Sequence, residues 1–227
     1  NSLTEAQILE KKFTKGMSYQ DIRNNALGEG WLPLRSADCR ENVGGEALIC
    51  GERPEVESCS GDGHCNMWFA HASSGSKLKV GTYADQVKFW EFSSAATDEK
   101  AMACPSQKFE DFLKAFASDK ATQIAFTAPF VMVEELVDGN EKGFSERSVL
   151  VAAQDYDDFN LAHKQDGFHA VFNESVGPKP IEVEIKPEAA GAFFVKFRYG
   201  VSEGNSYRFH AKNNCWLLAE DPEAPSP

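Results

Sequence analysis

The side chains able to do chemistry in this sequence are six cysteines, five histidines and a surplus of carboxylates. The cysteines stand at Cys39, Cys50, Cys59, Cys65, Cys104 and Cys215, with no C-x-x-C pair of the zinc-ribbon kind. Cys59 and Cys65 bracket Ser60-Gly61-Asp62-Gly63-His64, whose two glycines let the chain turn back on itself. A disulfide there needs the two Cα atoms within about 7 Å. A zinc site built from Cys59, His64 and Cys65 is the rival reading, and it lacks a fourth ligand. Cys39 and Cys50 would close a second loop around Gly44-Gly45, and Cys104 and Cys215 would clip the start of the second half to its last strand. Fifteen pairings are open to six cysteines, and this is the most local of them. Three bridges imply an oxidising compartment, the periplasm or the cell exterior.

No Gly-x-Ser-x-Gly elbow, Walker loop, Rossmann fingerprint or His-Glu-x-x-His helix is present. The expectation is therefore a protein with no catalytic residues, no cofactor and no resident metal. Asp138-x-Asn140-x-Lys142-Gly143 is a poor calcium loop, because Lys142 takes a ligand place and Val149 stands where a bidentate Glu belongs; a hairpin turn is the better reading. Asp155, Asp157 and Asp158 with Glu134 and Glu135 would suit a hard cation if the fold gathered them, against a solvated acidic face as the plain alternative. His169 and His210 sit in alternating strand patterns. Either, with Tyr207, would serve a pocket as a general base or polar lining group. His64, His71 and His163 carry no such signal. Glu182 and Glu184 share one face of a strand, which is ordinary for an exposed face. Trp31, Trp68, Trp90 and Trp216 read as core and strand anchors.

Charge is more telling. The 227 residues carry 35 Asp and Glu against 23 Lys and Arg, a net of −12. Residues 1–105 hold 15 acidic and 11 basic side chains and residues 106–227 hold 20 and 12, so the second half is the more acidic. Such a surface disfavours nucleic acid, which needs basic groups to displace counterions, and it steers basic partners. Asp155-Tyr156-Asp157-Asp158 joins three charges to an aromatic residue and is the first candidate for a binding surface. No apolar stretch approaches the roughly 20 residues that a membrane-spanning helix needs. With neither methionine nor apolar leader at Asn1, the chain reads as a mature or trimmed form. A lipidated cysteine just ahead of Asn1 is one route to an envelope anchor.

The elements that must position these groups fall into two sets. Leu3, Ala6, Ile8, Leu9 and Phe13 follow a helical period that Gly16 ends, and Ser18 caps a second helix carrying Ile22, Ala26 and Leu27. Strand signals follow at Ala47–Ile49, Met67–Ala72, Lys77–Tyr83 and Val87–Phe92. The small polar stretch from Ser93 to Ser106 is the expected boundary. Beyond it Ser106 is expected to cap a helix with Phe109, Phe112, Leu113 and Phe116 on one side. Strands then run through Phe130–Leu136, Ser148–Ala153, Ile181–Ile185, Phe193–Tyr199, Tyr207–Ala211 and Cys215–Leu218, with turns at Asp138-Gly139-Asn140 and Glu203-Gly204-Asn205. The fold class is α+β. Two small domains, 1–95 and 106–219, each pack helices on an antiparallel sheet and are disulfide-stabilised, and 220–227 form a disordered tail.

Phe13-x-x-Gly16-Met17-Ser18-x-x-x-Ile22 and Gly30-Trp31-x-Pro33 resemble the entry to small periplasmic modules of the β-lactamase-inhibitor-protein and outer-membrane-lipoprotein kind. The resemblance implies a helix started by a Gly-Met-Ser turn and covered by a short sheet. It occurs in one copy, not a tandem repeat, so β-lactamase inhibition does not carry over. The stretch from Pro54 to Phe69 is similar to one common in secreted bacterial proteins. Phe109-x-x-Phe112-x-x-x-Phe116-x-x-Asp119-x-x-x-Gln123 with the Trp216 strand resembles the cone-shaped nuclear-transport-factor-2-like roll, a shape that hosts enzymes, pockets and non-catalytic partners alike. By analogy with disulfide-bearing envelope modules, the leading expectation is a periplasmic immunity protein of a Gram-negative bacterium. It would neutralise a secreted toxin or cell-wall hydrolase with a basic surface. The alternatives are a small-ligand binder or enzyme using the C-terminal roll, and a structural envelope protein.

Overall fold

The computed structural model describes residues 2–44, 47–95, 102–138, 143–200 and 203–223. The chain is α+β and divides into two units, residues 1–97 with 148–152, and residues 98–147 with 153–227. The expected boundaries at 95 and 106 are linear and give residues 148–152 no place in the first unit. There Leu34 bridges Leu150 in parallel, and the Arg35 amide donates to the Leu150 carbonyl at 2.9 Å.

In the first unit, helix α1 (Glu5–Glu10) starts from a capping box between Thr4 and Gln7. Helix α2 (Tyr19–Gly28) starts at Ser18, whose hydroxyl accepts the Asp21 amide at 3.1 Å. Strand β1 (Leu32–Pro33) follows, then two short helices, α3 (Cys39–Asn42) and α4 (Leu48–Glu52). Strands β2 (Val56–Cys59), β3 (His64–His71), β4 (Ser76–Tyr83) and β5 (Gln86–Ser94) complete an antiparallel sheet in the order β1-β3-β4-β5, with β2 also on β3. Leu9, Ile22 and Ala26 from the helices bury against Met67, Phe69, Leu78 and Val80 from the strands. Ala47–Ile49 is not the expected strand but the start of α4. Three apolar residues show no period of their own, and Leu48 is 85 % exposed, so no strand face is being covered.

The second unit opens with α5 (Phe109–Ser118) and α6 (Lys120–Ala125), the latter capped by Asp119. Ser106 does not cap α5. The cap position is Lys108, whose amide donates to the Ser106 hydroxyl at 3.0 Å. Strands β6 (Thr127–Asp138), β7 (Phe144–Ala152, of which Ser148–Ala152 belong to the first unit), β8 (Leu161–Lys164), β9 (Gly167–Phe172), β10 (Ser175–Val176), β11 (Val183–Pro187), β12 (Phe193–Tyr199), β13 (Glu203–Lys212) and β14 (Cys215–Asp221) follow. They form a six-stranded sheet, β11-β12-β13-β14-β6-β7, and a three-stranded one, β10-β9-β8. The pairing of β14 with β6 is parallel, a departure from the antiparallel ladders expected in this unit.

Two expected features are corrected here. Glu203-Gly204-Asn205 is not a turn but the start of β13. A Cβ on Gly204 would lie 2.2 Å from the Phe197 carbonyl oxygen, so glycine there admits a close strand neighbour. Residues 220 and 221 are not tail but the end of β14, where Asp221 is 4 % exposed. Residues 139–142 and 224–227, which carry the expected hairpin turn and the rest of the tail, lie outside the described residues.

Aromatic packing makes the second core. Phe109 stacks on Phe193 at 4.1 Å between ring centroids, Phe116 meets Phe209 edge-on at 5.3 Å, and Phe159 lies 4.8 Å from both Phe116 and Tyr207. Each such pair adds about 0.5–1.5 kcal/mol beyond the area it buries. The structure forms the bridges Cys39–Cys50, Cys59–Cys65 and Cys104–Cys215. The last spans 111 residues and the second only 6, and the entropy a bridge removes from the unfolded chain grows with loop length. Cys104→Ala/Cys215→Ala should therefore cost about 2 kcal/mol more stability than Cys59→Ala/Cys65→Ala in denaturant titrations followed by circular dichroism. Equal losses would refute the loop-length account.

Candidate functional site

Between β7 and β8 the chain makes a 3-10 turn over Ala153–Asp155 and then runs irregularly to Asn160. Asp155, Asp157 and Asp158 point to solvent. Tyr156 does not, and its expected role as an outward aromatic anchor is corrected. Its ring packs on the second core, and its hydroxyl donates to Asp221 Oδ2 at 3.0 Å. The reason is economy of burial, since an aromatic ring flanked by three carboxylates reaches dry surroundings only by turning under the loop.

The loop is fixed at two further points. The Tyr207 hydroxyl donates to the Asp158 carbonyl at 2.7 Å and accepts the Asn160 amide at 2.7 Å. Asn205 Nδ2 lies 3.1 Å from that hydroxyl, 3.3 Å from the Asp158 carbonyl and 3.5 Å from Asp221 Oδ2, while its Oδ1 accepts the Ser206 amide at 2.8 Å. Tyr207 is fully buried. Three side chains from β13 and β14 thus hold the loop from beneath at Tyr156, Asp158 and Asn160.

Burial sets the electrostatics. Loss of water pushes the Asp221 carboxyl up to about 7, with the charges of Asp158 and Glu223 adding to the rise and hydrogen bonds from Tyr156 and Asn205 opposing it. Burial likewise raises the hydroxyls of Tyr156 and Tyr207, and Asp221 adds to both shifts. Near neutral pH the site holds a carboxyl that gains and loses its proton under a surface bearing three carboxylates.

The other expected site residues do not converge. His169, 2 % exposed, has Nδ1 2.8 Å from the Gly177 carbonyl and Nε2 2.8 Å from Asp166, which lock it in place. His210 is on an exposed face 2.7 Å from Glu220, which also meets Arg208 at 3.4 Å. Glu135 is paired with Arg147 at 2.6 Å. Among the described residues no three His, Cys, Asp or Glu side chains gather as a metal would require. Open depressions mark the unit. One of about 420 Å³ is lined by Lys108, Phe109, Asp111 and Phe193, and one of about 650 Å³ by Glu184, Lys186, Phe194 and Arg198. Neither is lined by Tyr207, His169 or His210. Sequence reasoning missed Asp221, assigned to the tail, and Asn205, assigned to a turn.

No family model matches the chain, and no curated protein matches it. A nuclear-transport-factor-2-like protein from Bacteroides fragilis, known from a crystal structure, is similar over 84 % of this chain and 85 % of its own, at 12 % identity and a TM-score of 0.34. A likeness of that degree carries no argument about this chain.

A titration tests the buried carboxyl. Asp221 ionises near 3.8 when unfolded and near 7 when folded, so its contribution to stability is complete below about pH 4 and is lost as pH rises through about 7. Asp221→Asn stays neutral throughout. Its stability relative to the parent should rise by about 3–4 kcal/mol between pH 4 and pH 8, read from denaturant midpoints at each pH. A difference that stays flat with pH would overturn the assignment.

Proposed function

We propose that this protein is a periplasmic immunity- or inhibitor-type protein of a Gram-negative bacterium, which blocks a basic secreted toxin or cell-wall hydrolase by direct docking. The observation that carries this reading is the loop at 155–160, whose aspartates face outward while its backbone is tied to a buried network. A segment held this way loses little conformational freedom on binding, so more of the contact energy survives as affinity. Asp155 and Asp157 form no ion pair among the described residues, which leaves both charges available to a cation. The net of −12 speeds encounter with a basic surface and makes the rate fall with added salt.

Three disulfides mark an oxidising, extracytoplasmic compartment, and no helix among the described residues is long and apolar enough to cross a membrane. Both fit a partner met outside the cytoplasm. Docking demands no catalytic group, and the three side chains that would have served a pocket each have partners of their own. A lipid tether would keep such an inhibitor beside the cell wall that it protects.

Immobilised protein should capture a basic protein from envelope extracts. With that partner purified, Asp155→Asn/Asp157→Asn/Asp158→Asn should slow association about tenfold at low salt and flatten the dependence of the rate on ionic strength. The same rate and the same salt dependence in the triple variant would remove the acidic loop from the interface.

A further inference from the structure

We propose that Cys59–Cys65 is a thiol-exchange site, a disulfide that a low-molecular-weight thiol opens in the folded protein while the other two bridges stay closed. Three features of its placement support this. It is the one bridge with neither cysteine buried; Cys39 and Cys215, in the other two, are 4 % and 7 % exposed. Attack on a disulfide requires a thiolate to reach a sulfur along the S–S axis, so access decides which bridge reacts first.

The second feature is the hairpin. Cys59 and Cys65 face each other directly across β2 and β3, with Cα atoms 4.1 Å apart. The turn between them is closed by the Ser60 amide donating to the His64 carbonyl at 2.7 Å and the Gly63 amide to the Ser60 carbonyl at 3.0 Å. Asp62 and His64, paired at 3.1 Å, are both more than 60 % exposed, so the tip stands in water.

The third feature is redundancy. Strand β3 pairs with β4 at every position from His64↔Tyr83 to His71↔Ser76, and the Ala84 amide donates to the Gly63 carbonyl at 3.1 Å. The hairpin therefore keeps its place without the bridge, and opening a loop of this length releases little chain entropy. By contrast Cys104–Cys215 ties the segment ahead of α5 to β14, across 111 residues.

The chemistry balances with the thiol as sole co-reactant. A thiolate bonds to one cysteine sulfur, the Cys59–Cys65 bond breaks, and the other cysteine leaves as a thiolate that takes a proton from water. A second thiol then displaces the first, giving an external disulfide and two cysteine thiols. Two electrons pass from the two thiols to the bridge.

The test uses the full, oxidised chain in native buffer with reduced glutathione as the probe, acid quenching at intervals, alkylation and peptide mass spectrometry. Cys59 and Cys65 should carry label or glutathione at least about tenfold sooner than the other four cysteines, with the circular dichroism spectrum unchanged. Labelling of Cys39, Cys50, Cys104 or Cys215 first, or of all six together, would overturn the proposal. Cys39→Ser/Cys50→Ser should retain the fast phase of thiol release and Cys59→Ser/Cys65→Ser should lack it. A fast phase that survives in the latter places the reactive bridge elsewhere.

Discussion

The second unit depends on drying a sheet face rich in aromatic rings. Val195, Phe197, Tyr207, Phe209 and Leu218 line that face, and α5 answers with Phe109, Phe112, Leu113 and Phe116. Rings fill space in large, rigid pieces, so helix and sheet meet in a packed interior. Polar groups are pushed to its margin, where the loop at 155–160 crosses the ends of β13 and β14. The Tyr207 ring belongs to the aromatic core and its hydroxyl to the loop. One residue therefore couples the packing to the candidate binding surface.

A change of strand phase brings Asp221 into the same margin. Along β14 the buried positions are Cys215, Leu218 and Asp221, a spacing of three where a regular strand gives two. The ladder to β6 shifts register between Leu218 and Glu220, and that to β13 between Arg208 and Phe209. Such an irregularity exchanges the two faces of a strand from that point onward. Glu220 is thereby turned toward Arg208 and His210, and Asp221 goes inward to Tyr156.

This phase change also explains what could be read in advance. The Ser18 cap and the Phe109–Phe116 stripe are local signals, written within one or two turns of helix, and both elements are where the spacing puts them. The alternation in Phe193–Tyr199 is likewise local. Asp221, followed by Pro222 and a run of small and acidic residues, has the composition of a tail, and only its pairing with Val133 of β6 shows it to be strand. Gly204-Asn205 has the composition of a turn for the same reason. Tyr156 was legible as part of an acidic segment, but its direction was not, because the group that draws it inward lies 65 residues away. Strands β8 and β10 are short and lack alternation, so no period announced them, and β9 showed itself only in the alternation around His169.

Two buried carboxylates show how the partner decides what burial does. Glu55, fully buried in the first unit, accepts the Tyr19 hydroxyl at 2.5 Å and Arg23 Nε at 2.6 Å. A guanidinium beside it balances its charge, and removing that cation would strand an ion in a dry place. Among the described residues Asp221 has neutral donors, Tyr156 and Asn205, while its charged neighbours Asp158 and Glu223 are of its own sign. For Asp221 the lower-cost response is to hold a proton. That response bears on the loop above. A neutral carboxyl beneath Asp155, Asp157 and Asp158 adds no repulsion to a segment already crowded with negative charge. As the proton leaves, the loop gains a fourth negative charge on the side it cannot turn away from.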